Sequence, residues 1–186
     1  MPNDNELMLA VKQGDLCAFE QIVLRNQATA WRAAYRFCGD RATAEDLAQE
    51  AFLRILDAAP EYTPSASFKT YLLRVVAHLC IDYARRKQPE FAEDLPEPAS
   101  RAPAAEGLLM MRERSEKIQA ALNRLTPEQR IAIILRYYED LRYQEIASIM
   151  KTSEKSVERL LARGRSALEH DLARFLEEWP SGSLRP

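Results

Sequence analysis

Apolar positions along this chain recur every three to four residues, the period of a helix with one buried face. In "YQEIASIMKTSEKSVERLLARGRSAL", Tyr143 to Leu168, a helix turning about 100° per residue aligns Val157, Leu161, Gly164 and Leu168 as a packing stripe. Lys155, Arg159, Arg163 and Ser166 fall on the opposite side, with Glu158 and Arg165 beside them. Ser153 stands where a hydroxyl accepts from the amides of a first helical turn. Upstream, Ile146, Ile149 and Met150 mark one face of a preceding helix, and only "KTS" separates the two. Short helices, a sharp turn and a basic outer face predict a helix-turn-helix that lays its second helix in a DNA major groove. A helical hairpin with a solvated face is the plainer alternative. Lys151 occupies the turn where glycine would be easiest, so a left-handed backbone there carries modest strain.

The same period runs through the rest of the chain. In "LTPEQRIAIILRYYEDL", Thr126 as N-cap, Pro127 in the first helical position and Gln129 three residues after the cap form a capping box with a proline start. In "ATAEDLAQEAFLRIL", Leu47, Ala48, Ala51, Phe52, Ile55 and Leu56 make a buried stripe. Asp46, Gln49, Glu50 and Leu53 make a second, outward one. An outward leucine beside two carboxylates and an amide suits docking on a basic partner, and an ordinary solvated face is equally compatible with it. In "SFKTYLLRVVAHLCIDYARRK", Leu72, Val75, Val76, Leu79 and Tyr83 form the core side, with Arg74, His78, Asp82 and Arg85 opposite. The closing Arg85-Arg86-Lys87 complements the helix dipole. Phe68, Lys69 and Tyr71 just before offer an aromatic-basic mix suited to gripping phosphate and stacking an unpaired base.

Neither half shows the alternation of strands, and one composition shift divides them. "QPEFAEDLPEPASRAPAAE", Gln88 to Glu106, carries four prolines and five carboxylates and has little to bury. The expected architecture is all-α: two small helical domains, 5–87 and 108–178, joined by a flexible Pro-rich acidic linker, 88–107.

Composition then narrows the chemistry. At 186 residues the chain suits one domain or two small ones, and its 47% hydrophobic and 29% charged content is that of a soluble globular protein. A net charge of −2 means that any nucleic-acid contact must come from local basic faces. Cys17, Cys38 and Cys80 are widely spaced, without CxxC, secretory leader or membrane-length apolar run, and read as reduced, buried thiols of a cytoplasmic protein. No cofactor and no metal site is expected, a cysteine–His78 metal set being the weaker reading. Two histidines, no Gly-rich phosphate loop and no nucleophile–base spacing speak against an enzyme.

The blocks "DLCAFEQIV" (15–23), "AEDLAQEAFLRI" (44–55), "FKTYLLRVVAHLCIDYARRK" (68–87) and 125–168, in that order, resemble an extracytoplasmic-function (group IV) sigma factor of bacterial RNA polymerase, within the sigma-70 family. The resemblance covers about four fifths of the chain. It implies an N-terminal region 2 domain that binds the β′ clamp helices of core polymerase and opens the −10 element. It implies a C-terminal region 4 domain that reads the −35 element while docked on the β flap.

Carried over by position, Asp46, Gln49, Glu50 and Leu53 fall on the clamp-binding helix. Phe68, Lys69, Tyr71, Arg74, His78, Asp82, Arg85 and Arg86 fall on the segment that melts and captures the −10 strand. Glu154, Lys155, Ser156, Glu158 and Arg159 match the groove-reading start of the recognition helix, and Arg163 and Arg165 its phosphate contacts. The family usually has tryptophan where Tyr71 stands, asparagine where His78 stands, and serine or threonine where Arg142 precedes the helix-turn-helix. The resemblance also implies a cognate anti-sigma protein; the outward stripe of residues 46–53 is its expected target, since covering it shuts out core polymerase, in a one-to-one complex with a monomer otherwise. A sigma-like decoy, or a helix-turn-helix regulator acting without polymerase, are the other classes compatible with the pattern.

Overall fold

The computed structural model describes residues 1–87 and 106–177, all of it helical or turn, with no strand among the described residues. Four helices make the first group: α1 (Asp4–Lys12), α2 (Leu16–Cys38), α3 (Arg41–Asp57) and α4 (Phe68–Arg86), with a 3-10 turn at Ala59–Glu61. Four make the second: α5 (Glu106–Arg124), α6 (Pro127–Tyr137), α7 (Tyr143–Met150) and α8 (Glu154–Glu177). The acidic linker up to residue 105 lies outside the described residues. Glu106 and Gly107, expected to be its last residues, already belong to α5.

Short polar residues set the helix starts. Asn3, Asp15, Asp40 and Ser67 each accept a hydrogen bond from the backbone N–H three residues on, at 2.8–3.1 Å. The Thr126–Gln129 box forms as expected: the Thr126 hydroxyl accepts from the Gln129 N–H, and Gln129 Oε1 accepts from the Thr126 N–H. Ser153 Oγ accepts from the Ser156 N–H at 3.2 Å and starts α8. Arginine has no acceptor, so Arg142 caps α7 only through its backbone N–H, which donates to Glu145 Oε2. Gly39 ends α2 at φ 74°, a left-handed turn that lets α3 fold straight back.

Within the first group α2 lies between α1 and α3, and α4 packs across α2 and α3. Ile22, Phe37, Ile55, Leu72 and Leu73 are all but fully buried there. In the second group α8 crosses α6 and α7. Ile131, Ile134, Leu135, Ile146, Ile149, Val157 and Leu161 close its core. Gly164 is the close-approach point: a Cβ on it would lie 3.1 Å from Ile133 Cγ1 of α6. The turn between α7 and α8 passes through Lys151 at φ 50°, ψ 48°, the left-handed conformation its position demanded.

The two groups do not stand apart. α4 packs against α6 and α7, and α2 against α5 and α6, so that both cores merge into one contiguous apolar cluster. This closure decides what the candidate site presents to solvent.

Candidate nucleic-acid interface

The helix-turn-helix has the face it needs. With Val157 and Leu161 fully buried, the outer side of α8 carries Lys155, Glu158, Arg159, Arg163 and Arg165, all exposed, and Ser156, half-buried. Arg159 Nη2 donates to Ser156 Oγ at 3.1 Å, one turn apart, so both side chains sit together at the start of the helix. Groove-entering residues of such a motif sit in these first turns. The arrangement can place donors on base edges near Arg159 and cations on phosphates further along.

The outward stripe of α3 is also free. Asp46, Gln49 and Leu53 are exposed, Leu53 by 56%, and Glu50 is half-buried where its Oε1 accepts from Arg54 Nε at 2.8 Å. A shallow depression between α3 and α4 borders this stripe, lined by Asp46, Leu47, Glu50, Tyr83 and Arg86. An apolar side chain held out among carboxylates, beside a depression, is a surface shaped for a partner with a basic rim.

The α4 face differs from the sequence expectation in two ways. Phe68 is 2% exposed and packs in the core, so it is not a base-stacking side chain. Its ring meets Tyr71 edge-on at 6.2 Å, and Tyr71, half-buried, also meets Tyr62 at 5.3 Å. Phe68, Leu72 and Leu79 share one helical stripe, a period that already marks Phe68 as core. Second, α6 and α7 pack against α4 and partly cover the face opposite its core: Arg74, His78 and Asp82 are half-buried, while Lys69 and Arg85 stay exposed.

Three cations of that face make their contacts across the closure. Lys69 Nζ pairs with Glu139 Oε2 at 3.0 Å and reaches the Glu139 carbonyl at 3.3 Å. Arg74 Nη2 donates to Ser148 Oγ of α7 at 3.0 Å, while its Nε is buried with no acceptor. Arg85 Nη2 reaches Glu128 Oε1 at 3.4 Å. Asp82 and His78 are half-buried, and Arg86 is exposed at the rim of the α3–α4 depression.

Burial pushes the His78 imidazole below its ordinary range, helped by Lys151 after α7 and by Arg74. Asp82 and the Ile149 carbonyl pull the other way. The cysteines also depart from expectation: only Cys80 is buried, Cys38 is partly so, and Cys17 is exposed. Burial raises the pKa of the Cys80 and Cys38 thiols, which makes both poor nucleophiles.

Several residues of the closure carry no sequence signal of their own. Glu139, 9% exposed, follows the end of α6, and Arg36 of α2 approaches it at 3.8 Å while its guanidinium covers the Tyr138 ring at 4.3 Å. Arg130 of α6 donates to the Phe37 carbonyl at 2.7 Å and, within its own group, to the Asn123 carbonyl at 2.7 Å. Gln119 of α5 donates to the Arg36 carbonyl at 3.1 Å. Each is a polar residue on an ordinary helix until a distant partner is placed against it.

Comparison with known proteins agrees with this layout. Residues 22–90 match sigma-70 region 2, and residues 115–168 match sigma-70 region 4. The chain is 31% identical over 178 residues to the ECF RNA polymerase sigma factor SigW of Bacillus subtilis, covering 87% of this chain and 92% of that one. It is 32% identical over 170 residues to SigE of Mycolicibacterium smegmatis, covering 89% of this chain and 66% of the relative. The fold is that of CnrH, solved in complex with the cytosolic domain of CnrY, with a TM-score of 0.71, 22% identity, and 92% and 97% of the two chains covered. It is also that of the sigma factor RpoE of Bartonella quintana, solved with the anti-sigma factor NepR, with a TM-score of 0.65, 19% identity, and 83% and 96% covered. Two helical groups, an exposed stripe on α3, a helix-turn-helix with a basic outer face and both family matches in order lead to one conclusion: the chain belongs to the sigma-70 family as an extracytoplasmic-function sigma factor, a subunit that directs promoter-specific transcription initiation by RNA polymerase.

Proposed function

We propose that residues 5–87 form the polymerase-binding and −10 domain and residues 108–178 the −35 domain, with the contacts divided as follows. Asp46, Gln49, Glu50 and Leu53 dock on the β′ clamp helices. Lys155, Ser156, Glu158 and Arg159 enter the −35 major groove, and Arg163 and Arg165 contact its phosphates, with the domain seated on the β flap. Lys69, Arg74, His78, Asp82, Arg85 and Arg86 receive the −10 strand once it is melted, with Tyr71 beside them. Phe68 is left out, since its ring belongs to the core.

The observation that carries this reading is the two-sidedness of α8: a fully buried stripe at Val157 and Leu161, and a face of exposed cations directly opposite. Overall acidity fits the same reading. A subunit with net charge −2 has a weak long-range pull on DNA and gains promoter affinity from the polymerase it joins. A one-to-one complex with an anti-sigma protein in the cytoplasm belongs to this proposal. The RpoE of Bartonella quintana, solved with the anti-sigma factor NepR, supports it, and the exposed Leu53 stripe supplies a surface to cover.

The test is polymerase affinity. Leu53→Ala with Glu50→Ala removes the exposed apolar side chain and its neighbouring carboxylate without touching a buried residue. Binding to core polymerase, measured by fluorescence anisotropy, is expected to weaken by roughly tenfold or more, as for the loss of a docking anchor, with helicity unchanged. Wild-type affinity in the folded double variant would remove the α3 assignment.

A further inference from the structure

We infer that α1 is a positioning element for −10 recognition: its Asn5 and Lys12 hold Tyr62, and Tyr62 in turn fixes the ring of Tyr71; this rests on the place proposed above for Tyr71 beside the −10 strand. α1 precedes residues 22–90, the segment matched to region 2. Its polar side chains nevertheless reach the stretch of chain that leads into α4. Tyr62 Oη donates to Asn5 Oδ1 at 2.9 Å, and Asn5 Nδ2 donates to the Ala66 carbonyl at 3.1 Å. Lys12 Nζ donates to the Tyr62 carbonyl at 2.9 Å. One helix therefore grips both ends of the exposed segment Thr63, Pro64 and Ser65, the second grip falling just before the Ser67 cap of α4.

α1 is itself held firmly. Leu7, Met8 and Val11 are buried. The Asp4 carboxylate accepts from Asn26 Nδ2 at 2.8 Å and from Arg25 Nη1 at 3.2 Å, both on α2. Asn26 is buried, and Arg25 also donates to the Pro2 carbonyl at 2.9 Å. Losing the partner of a buried amide costs its full desolvation, so α1 has one place on α2. The order of support runs from α2 to α1, from α1 to Tyr62, and from Tyr62 to α4.

Tyr62 carries that support through its ring. It is 6% exposed, and its ring stands 5.3 Å from that of Tyr71, tilted by 58°. On α4 the ring of Phe68 meets Tyr71 at 6.2 Å, tilted by 61°. Tilted pairs of this kind are favourable arrangements of aromatic rings. Phe68 is fixed by the core and Tyr62 by α1, so Tyr71 has a fixed ring as each of these two neighbours. Tyr71 itself is half-buried, which leaves part of it accessible. Without the Asn5 oxygen, the hydroxyl of a buried Tyr62 would lack its acceptor, and the ring would shift to find another. Stacking on a base depends on how the ring is presented, so a shift at Tyr62 reaches the −10 strand through Tyr71.

The experiment uses holoenzyme assembled from core polymerase and the full chain. The probe is a fluorescein-labelled promoter fragment, duplex at −35 and single-stranded over −10, taken from a promoter that the holoenzyme transcribes. Anisotropy gives its affinity for wild type, Asn5→Ala, Tyr71→Ala and the double variant. Tyr62→Phe, which keeps the ring and removes the hydroxyl, replaces Asn5→Ala in the same comparison if circular dichroism shows Asn5→Ala unfolded. The expected result is roughly tenfold weaker binding for Asn5→Ala, within the range of one stacked base. The double variant is expected to bind no more weakly than Tyr71→Ala alone, since residues acting through one another do not add. Equal losses for Asn5→Ala with and without Tyr71 would overturn the positioning role and leave α1 a merely structural helix. Wild-type binding by folded Asn5→Ala would overturn it as well. A loss for Asn5→Ala alongside wild-type binding by Tyr71→Ala would overturn it at a different point, by placing the failure in the −10 assignment of Tyr71.

Discussion

Gly164 of α8 and Ile133 of α6 touch so closely that a Cβ on the glycine would stand 3.1 Å from the Ile133 Cγ1 atom. Glycine in a helix interior normally costs about 1 kcal/mol relative to alanine, so this position trades helix propensity for close approach. The approach brings the buried Val157 and Leu161 onto α6 and α7 and sets the angle at which the basic face leaves the domain. Gly164→Leu is therefore expected to destabilise the protein by about 1–3 kcal/mol through overpacking, read as a lower urea midpoint. Ile133→Ala, which opens the facing space, should be less damaging in the Gly164→Leu background than alone. A Gly164→Leu protein as stable as wild type would mean that α8 packs elsewhere.

Arg159 and Arg163 lie on the same exposed face but one turn apart, and they should fail differently. Arg159, at the start of α8 beside Ser156, is placed to read a base edge. Arg159→Ala is expected to cost about 1–3 kcal/mol at the preferred −35 sequence and much less at variants of the base it reads. Arg163→Ala should weaken all promoters about equally, as loss of a phosphate contact does. Competition binding of polymerase holoenzyme to a panel of −35 variants distinguishes them. A uniform loss for Arg159→Ala would move it from base reading to phosphate contact.

The His78 imidazole links closure to pH. Burial, Lys151 and Arg74 together hold its pKa in the folded chain below the usual value, against Asp82 and the Ile149 carbonyl. The sign follows from which state binds the proton first. As pH falls through about 6.5, the unfolded chain takes up the proton before the folded one does, so stability declines with falling pH and is flat above that range. His78→Asn should reduce the loss of unfolding free energy between about pH 7.5 and pH 5.5, the window that spans the ordinary imidazole pKa, as measured by urea titration. An identical pH dependence in the variant would show that His78 is not in the environment described.

Much of this was legible in the sequence because it is local. The Ser153 cap, the Thr126–Gln129 box, the Val157–Leu161–Gly164 stripe and the left-handed Lys151 each depend on residues within one or two helical turns. The exposure of Leu53 was legible for the same reason. Phe68 was readable as core from its spacing to Leu72, and its aromatic-basic neighbourhood suggested stacking instead. Closure of the two domains was not legible. Lys69 and Glu139 are 70 residues apart, and Arg74 and Ser148 are 74 apart. A helix with charges opposite its core stripe looks the same whether water or another domain covers those charges. Cys17 was misplaced because burial is a tendency of cysteine as a type and not a property of its position.

If this chain turns core polymerase into a promoter-specific enzyme through two DNA-reading surfaces, then in vitro transcription by core polymerase over a genomic promoter library must depend on it. Transcripts are expected only when the protein is added, starting downstream of a shared pair of elements near −10 and −35. Arg159→Ala is expected to lower output selectively from promoters according to their −35 sequence. Binding to a palindromic site without polymerase, together with no protein-dependent start sites in the library, would contradict it.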